Sequence, residues 1–336
     1  MDMFELKTLT EAVNKIPAAK TFIWDKVFKG STPKQELTTT IEVDIKVGKR
    51  TLAPFVGYGD EAAVMKKTGM GERVVKIPHI RLKEPLTGKE LLTQKGAGQN
   101  IYVVGGDINT YRDKKLAEAQ LGLKNTIQRR QEWMACQALN GSISYSDENI
   151  SFAIDYQMPS QNKPVLTGAA LWSTSTADPV KDIKRWKKII AKSGKTASTM
   201  IFGDNVLENF LNNSKVQKLW LEASKINGGS IDLTLGDFVG RILGLDSFEY
   251  SETYVDSADV EHNMIDPDSV VIVATDARNE VHCGIVEDLE ADITIAAPYF
   301  SKSWLQSDPS ARWLLVESNQ LPVVFEPEAI VYVKVL

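Results

Sequence analysis

Cysteine and histidine are scarce in this sequence and long apolar runs are absent, and each shortage removes a class of protein. Two cysteines in 336 residues, Cys136 and Cys283, are too few and too far apart for a disulfide framework and suggest a reducing compartment. Three histidines, His79, His262 and His282, have no metal-ligating partner at helical or hairpin spacing. A structural place is expected for each. No apolar stretch approaches the roughly 18 residues of a membrane helix. The start, MDMFELKTLTEAVNKIP, turns acidic at once and has no apolar core of a secretory signal. A hydrophobic share of 43% with 25% charged residues excludes a mostly disordered chain, and the length fits about two domains.

Catalytic signatures are missing as well. AKSGKT at 191–196 imitates the end of a phosphate-binding loop, but Ile189 stands where that motif needs its first glycine and a helix precedes it where a strand belongs. Gly194 reads instead as a helix C-cap. GYG at 57–59 and GMG at 69–71 are too short for a dinucleotide fingerprint. The acidic stretch 256–268 has Ala258 and Val260 at alternate positions, so it is a solvated loop or at most a weak cation site, not an EF-hand. No G-x-S-x-G elbow occurs. No catalytic residue, cofactor site or metal site is singled out, and the chain is not expected to be an enzyme.

What is there is an uneven charge. The net charge is −5, yet residues 1–195 hold 31 basic and 21 acidic residues while residues 196–336 hold 8 and 23. Residues 46–83 carry nine basic against three acidic side chains, and 246–292 carry fourteen acidic against one arginine. Either two faces of one molecule differ in charge, or complementary surfaces meet between copies of the chain.

Residues 1–36 read as a short helix and then an arm that docks on something else. Residues 37–46 are β-rich. The glycine-punctuated stretch up to Pro85 reads as a long hairpin or extended loop too poor in large apolar groups to make its own core. Leu116, Leu123, Ile127, Met134 and Ala138 hold one face of a helix over 111–139, stopped by Asn140-Gly141. Two strands follow within 142–158. A basic amphipathic helix over 179–192 has Asp178 as N-cap, Pro179 at its first position, and Ile183, Trp186 and Ile190 on its buried side. A buried strand at 197–203, helices at 204–212 and 214–225, and a third helix in TLGDFVGRILG come next. Strands at 247–255 and 270–275 are joined by the acidic stretch. The tail holds strands near 293–296, 312–318 and 323–325 and ends in AIVYVKVL. Helices and strands mix without βαβ alternation, which gives the class α+β.

The closing segment APYFSKSWLQSDPSARWLLVESNQLPVVFEPEAIVYVKVL, with Pro298, Trp304, Asp308-Pro309, Pro322 and Pro327 in that order, resembles the major capsid protein E family of lambda-type tailed phages. LAPFVGYG at 52–59 and the glycines at 69–71 resemble that family's loop, and the order of parts agrees along essentially the whole chain. The resemblance implies the Hong Kong 97-type capsid fold: an N-terminal arm at 1–36 and an extended E-loop at 40–85. It further implies a P-domain at 86–195 with its spine helix, an A-domain at 196–304, and a C-terminal return to the P-domain at 305–336. It implies a head shell of hexamers and pentamers around double-stranded DNA, which is contacted non-specifically, in a virion assembled in the host cytoplasm. Partners would be other copies, a separate scaffolding protein, a portal and a decoration protein, with no membrane. Inter-subunit contacts would come from E-loop residues Arg50, Leu52, Phe55, Tyr58, Lys66 and Lys67. There is no room before the spine helix for a scaffolding segment of about a hundred residues, and the partners of the isopeptide cross-link known in one branch are not matched. A nanocompartment shell of the encapsulin type and a two-domain hydrolase are the competing readings.

Overall fold

The computed structural model describes residues 6–15, 21–46, 70–87, 108–146, 151–227, 238–256, 258–286, 288 and 297–336. In chain order the elements begin with helices α1 (Leu6–Lys15) and α2 (Phe22–Lys26). Strands β1 (Lys34–Gln35), β2 (Thr40–Lys46), β3 (Met70–Lys76) and β4 (Ile80–Thr87) follow, then helix α3 (Ile108–Leu139). Next come β5 (Ser142–Ser146), β6 (Ser151–Asp155), α4 (Pro179–Lys192), β7 (Thr199–Gly203), α5 (Val206–Asn212) and α6 (Ser214–Asn227). Strands β8 (Phe238–Ile242), β9 (Leu245–Tyr250), β10 (Thr253–Val255), β11 (Glu261–Asn263), β12 (Ser269–Val273) and β13 (Asn279–Cys283) lead to the tail. The tail forms β14 (Phe300–Gln306), β15 (Ala311–Ser318), β16 (Gln320–Val324) and β17 (Ile330–Lys334).

Helix α3 starts one turn before the expected 111. Its 32 residues span about 48 Å at 1.5 Å per residue. Gly141, at φ +87°, ends it in the left-handed conformation that glycine adopts at low cost. Two apolar cores line its length. Near its N-terminal half, Leu116, Leu123 and Ile127 meet Leu9 and Val13 of α1 and Leu86, Leu314 and Val316 of a three-stranded sheet ordered β14-β15-β4. Pro85, which cannot donate to a ladder, sits on the edge strand β4 of that sheet. Near the helix's C-terminal half, Trp133, Met134, Ala138 and Leu139 pack with Ile23, Trp24, Val27 and Phe28 and with Val281, Leu321 and Val323. The arm is thus corrected: residues 21–28 dock on their own chain, because four large apolar side chains in eight residues find a complete core there.

The third core belongs to a five-stranded sheet ordered β17-β12-β7-β9-β8. Every residue of β7 and β12 is buried, as expected of central strands. Helix α4 lays Ile183, Trp186 and Ile190 on this sheet beside Trp172, Phe202 and Phe210. Its Asp178 cap accepts the Lys181 N–H at 3.1 Å, and Gly194 at φ +91° follows its end, so AKSGKT is a helix terminus. Helix α4 therefore shares a core with residues 197–277, and the boundary expected at 195 cuts through that core. The last strand, β17, likewise pairs with β12 and not with the sheet on the spine.

The helix expected in TLGDFVGRILG is a strand where it is described. Val239 and Ile242 are buried in β8, and Ile242 pairs with Leu245 across Leu243-Gly244. Both turn residues have positive φ, 50° and 80°, the two-residue hairpin connection that glycine-rich sequence favours over a helix. Strand β14 was not anticipated, and the strand expected near 293–296 lies outside the described residues. Both cysteines are buried and unpaired with each other. Burial pushes the Cys283 thiol up to about 12, and burial with nearby Glu132 holds the Cys136 thiol well above its ordinary value. Among the described residues no helix is long and apolar enough to cross a membrane.

Candidate assembly surfaces

The expected contact residues Arg50, Leu52, Phe55, Tyr58, Lys66 and Lys67 all lie outside the described residues. What is described is the stem that carries them. Strands β2 and β3 pair antiparallel from Thr40↔Lys76 to Lys46↔Met70. Seven residues per strand give a ribbon of about 23 Å. Its root is fixed by buried Ile41 and Ile77 and by the Ile77 N–H donating to the Thr39 carbonyl at 3.0 Å.

Behind the stem, charges from the two halves of the chain already meet within one copy. Arg81 donates to Asp288 at 2.9 Å and lies 3.5 Å from the fully buried Glu317, whose carboxyl is raised by burial. Lys302, itself in the acidic half, joins the same Asp288 at 2.6 Å, and His79 lies 2.8 Å from the Asn319 side-chain oxygen. Lys34 pairs with Glu280 at 2.7 Å and Lys195 with Glu326 at 2.9 Å. Part of the charge asymmetry is therefore used to tie the basic root of the hairpin to the acidic half of the same molecule.

A polar seam that sequence reading missed runs along α3. Gln120, Lys124, Gln128, Gln131 and Glu132 are all buried. The Lys124 ammonium donates to the Val13 carbonyl at 2.8 Å, and Gln131 donates to Ser318 Oγ at 2.9 Å. The Glu132 carboxylate accepts the backbone N–H groups of Ile23 at 2.8 Å and Trp24 at 2.9 Å, and the Tyr250 hydroxyl at 2.9 Å. Lys124 and Glu132 thereby hold the N-terminal segment to the spine, and Gln131 holds β15 to it. The spacing of four from 120 to 132 was the available signal, since it marks one helix face.

The edge strand β1 is fastened by His282. Its Nδ1 lies 2.9 Å from a Glu36 oxygen, and because a carboxylate only accepts, Nδ1 carries the proton. Nε2 is buried without a hydrogen-bond partner. Burial outweighs the attraction of Glu36 and Glu280 and lowers the pKa of this histidine from its ordinary 6.5. The unfolded chain then takes up the proton first as pH falls. The His282 contribution to stability is complete above about pH 6.5 and is lost as pH drops through the folded value. Unfolding midpoints measured from pH 7.5 to 5 should show this slope, and His282→Asn should flatten it. Equal slopes in both proteins would refute the assignment.

Three further surfaces face outward. On β14 and β15, Trp304 and Trp313 stack with ring centroids 6.3 Å apart, with the Lys83 ammonium 4.6 Å above Trp313. Lys181, Lys184, Arg185, Lys188 and Lys192 are exposed along α4, opposite its buried stripe. The acidic stretch is a hairpin: β10 and β11 pair from Thr253↔Asn263 to Val255↔Glu261. At its tip Asp256 accepts the Ala258 and Val260 N–H groups at 2.8 and 2.9 Å and faces His262 at 2.9 Å. The Val260 amide, the His262 ring and the Ala258 amide together hold the Asp256 carboxyl below its usual range. The cation site weighed for this stretch finds its central carboxylate already committed to the turn.

The comparisons agree with a shell protein. The family model described as phage major capsid protein E matches residues 5–335. The fold is similar to that of a prophage protein of E. coli CFT073 assigned as its capsid protein. That match has a TM-score of 0.70 at 22% identity and covers 98% of this chain and 99% of the other. The capsid of Cyanophage A-1(L) matches at TM-score 0.56 and 11% identity, over 96% and 94% of the two chains. The mature capsid of bacteriophage PhiM1 matches at 0.52 and 10%, over 95% and 88%. No curated protein sequence matches the chain. The fold shared with these capsids is the Hong Kong 97-type fold expected from the tail sequence. The family consists of structural shell proteins and not of enzymes, which removes the hydrolase reading. A full-length match to the family model and a capsid fold along the whole chain make the same assignment: this chain belongs to the phage major capsid protein E family.

Proposed function

We propose that copies of this chain form the hexamers and pentamers of an icosahedral phage head that encloses double-stranded DNA. The observation that carries the reading is the match of the family model to residues 5–335, nearly the whole chain. The segment 40–85 acts as the E-loop, raised on the β2–β3 stem, and its residues Arg50, Leu52, Phe55, Tyr58, Lys66 and Lys67 touch neighbouring copies. The P-domain is built on α3 with the β14-β15-β4 sheet, and the N-terminal arm is its inner strap. The A-domain is assigned to the core around the five-stranded sheet. The packing of Ile183 and Trp186 on that sheet supports starting it before α4 and not at 196. Scaffold, portal and decoration proteins are separate chains, DNA is contacted through phosphates without sequence preference, and assembly takes place in the host cytoplasm. Electron microscopy of the purified protein, alone and with its scaffold, tests this. Closed shells or capsomers are expected, and native particles should hold DNA. A chain that stays monomeric under all conditions overturns the reading, and native particles that hold a cargo enzyme without DNA favour a nanocompartment.

A further inference from the structure

Two outward surfaces on the sheet-bearing half of the molecule are opposite in charge. Along α4, Lys181, Lys184, Lys188 and Lys192 recur at three- and four-residue spacing, which places them on one face about 16 Å long. Arg185 pairs with Asp182 at 3.2 Å. Among the described residues no carboxylate pairs with Lys184, Lys188 or Lys192. The β10–β11 hairpin presents the complement. Glu252, Asp259 and Glu261 are exposed there, and none pairs with a cation among the described residues. The same hairpin exposes two apolar side chains, Val255 at 58% and Val260 at 49%. Two half-exposed valines that flank the turn fit a surface that becomes covered.

We propose that the β10–β11 hairpin of one copy docks on the basic face of α4 of the next copy around a capsomer. The inference rests on the shell reading above and names a contact within it. The geometry of identical copies favours it. Two different patches that complement each other on one chain make a head-to-tail contact, and repeated rotation by a fixed angle closes such contacts into a ring. An isolated exposed ion pair contributes only about 0–1 kcal/mol. Several such pairs together with two covered valines, repeated at every step of the ring, set both register and salt sensitivity. The lysine stems also offer the valines an apolar bed.

The test uses the full chain with its scaffold at low ionic strength. Lys184→Glu with Lys188→Glu, and separately Glu252→Lys with Glu261→Lys, should each lower capsomer yield at least tenfold with circular dichroism unchanged. The four changes combined should bring the yield back to within threefold of wild type. As a second measurement, copies carrying only Val260→Cys are mixed with copies carrying only Lys188→Cys and mildly oxidised. A mixed disulfide dimer on a non-reducing gel is expected. Full assembly by both reversal variants, failure of the combined variant to recover, or absence of the mixed dimer overturns the contact while leaving the shell reading intact. If the helix reversal spares assembly but abolishes retention of double-stranded DNA, α4 faces the packaged polyanion and the contact is also overturned. A wild-type chain that never leaves the monomer removes the shell reading and this contact with it.

Discussion

Replacing residues 47–69 with a two-residue Asn-Gly turn yields a soluble monomer that unfolds cooperatively and forms no shells. The replacement is set by register: Lys46 and Met70 are the last cross-strand pair of the β2–β3 ribbon, so a two-residue turn joins them without altering the stem. The described residues of the three cores all belong to segments that the replacement leaves in place. The helix signal in circular dichroism should therefore match wild type. The segment removed contains Arg50, Leu52, Phe55, Tyr58, Lys66 and Lys67. Residues 47–69 hold four glycines and four basic against two acidic side chains. Ordering each backbone residue costs about 1–2 kcal/mol. Apolar burial returns roughly 25 cal/mol per Å². On the proposed E-loop reading, the segment recovers that cost by covering surface on another copy. Loss of assembly should be complete, because every capsomer step loses the same contact. Shells of normal appearance from this variant, seen by electron microscopy, would show that the segment is dispensable. A variant that no longer folds would show that it belongs to the subunit's own core.

The parts of this fold that sequence reading recovered are those where a local pattern decides the structure. The α3 stripe, the α4 cap and stripe, and the alternation in β2 each need only their own residues. The tail order Pro298, Trp304, Asp308-Pro309, Pro322, Pro327 carried the family, which composition could not have supplied. The errors have a common cause in tertiary context. FVGRILG has helix-like apolar spacing, but Gly240 at φ +134° and the positive-φ pair Leu243-Gly244 make it a bulged hairpin strand against β9. The arm carried six lysines in its first 36 residues and read as a segment for export to a neighbour. Its Ile23, Trp24, Val27 and Phe28 were the better guide. The spacing of four from Gln120 to Glu132 marks one face of α3, but glutamines and a glutamate on a long helix ordinarily face water, so the spacing does not say that the face is buried. Here Gln120, Lys124 and Glu132 face backbone groups of a segment about 110 residues away and Gln131 meets Ser318, and nothing local encodes those partners.

Glu132 is where that seam matters most, and its removal should cost as much stability as emptying a large core position. Its carboxylate is the acceptor for two backbone N–H groups of α2 and for the Tyr250 hydroxyl of β9, so one side chain joins the arm, the spine and the five-stranded sheet. Glu132→Ala takes the acceptor from three buried donors, of which only the Tyr250 hydroxyl has another polar atom near it, Cys136 Sγ at 3.7 Å. A stranded buried group costs about 1–3 kcal/mol, so a loss of roughly 3–5 kcal/mol is expected in denaturant unfolding. Glu132→Gln keeps one oxygen for Ile23 and Tyr250 but sets an amide donor against the Trp24 N–H, for about half that loss. Tyr250→Phe removes one bond and should cost about 1 kcal/mol. The pH dependence has a definite sign. Burial raises the Glu132 pKa above its ordinary 4.5, overcoming the three donors that favour the charged form. The folded state then holds the proton where the unfolded chain has released it, so this contribution is complete below about pH 4.5 and declines as pH rises through the folded value. The stability gap between wild type and Glu132→Gln should accordingly narrow from pH 4.5 upward. A widening gap would mean that the hydrogen bonds, and not burial, dominate at this carboxylate. A gap near zero at every pH would mean that water replaces the lost acceptor and that apolar packing of Ile23, Trp24, Val27 and Phe28 alone fixes the arm to the spine.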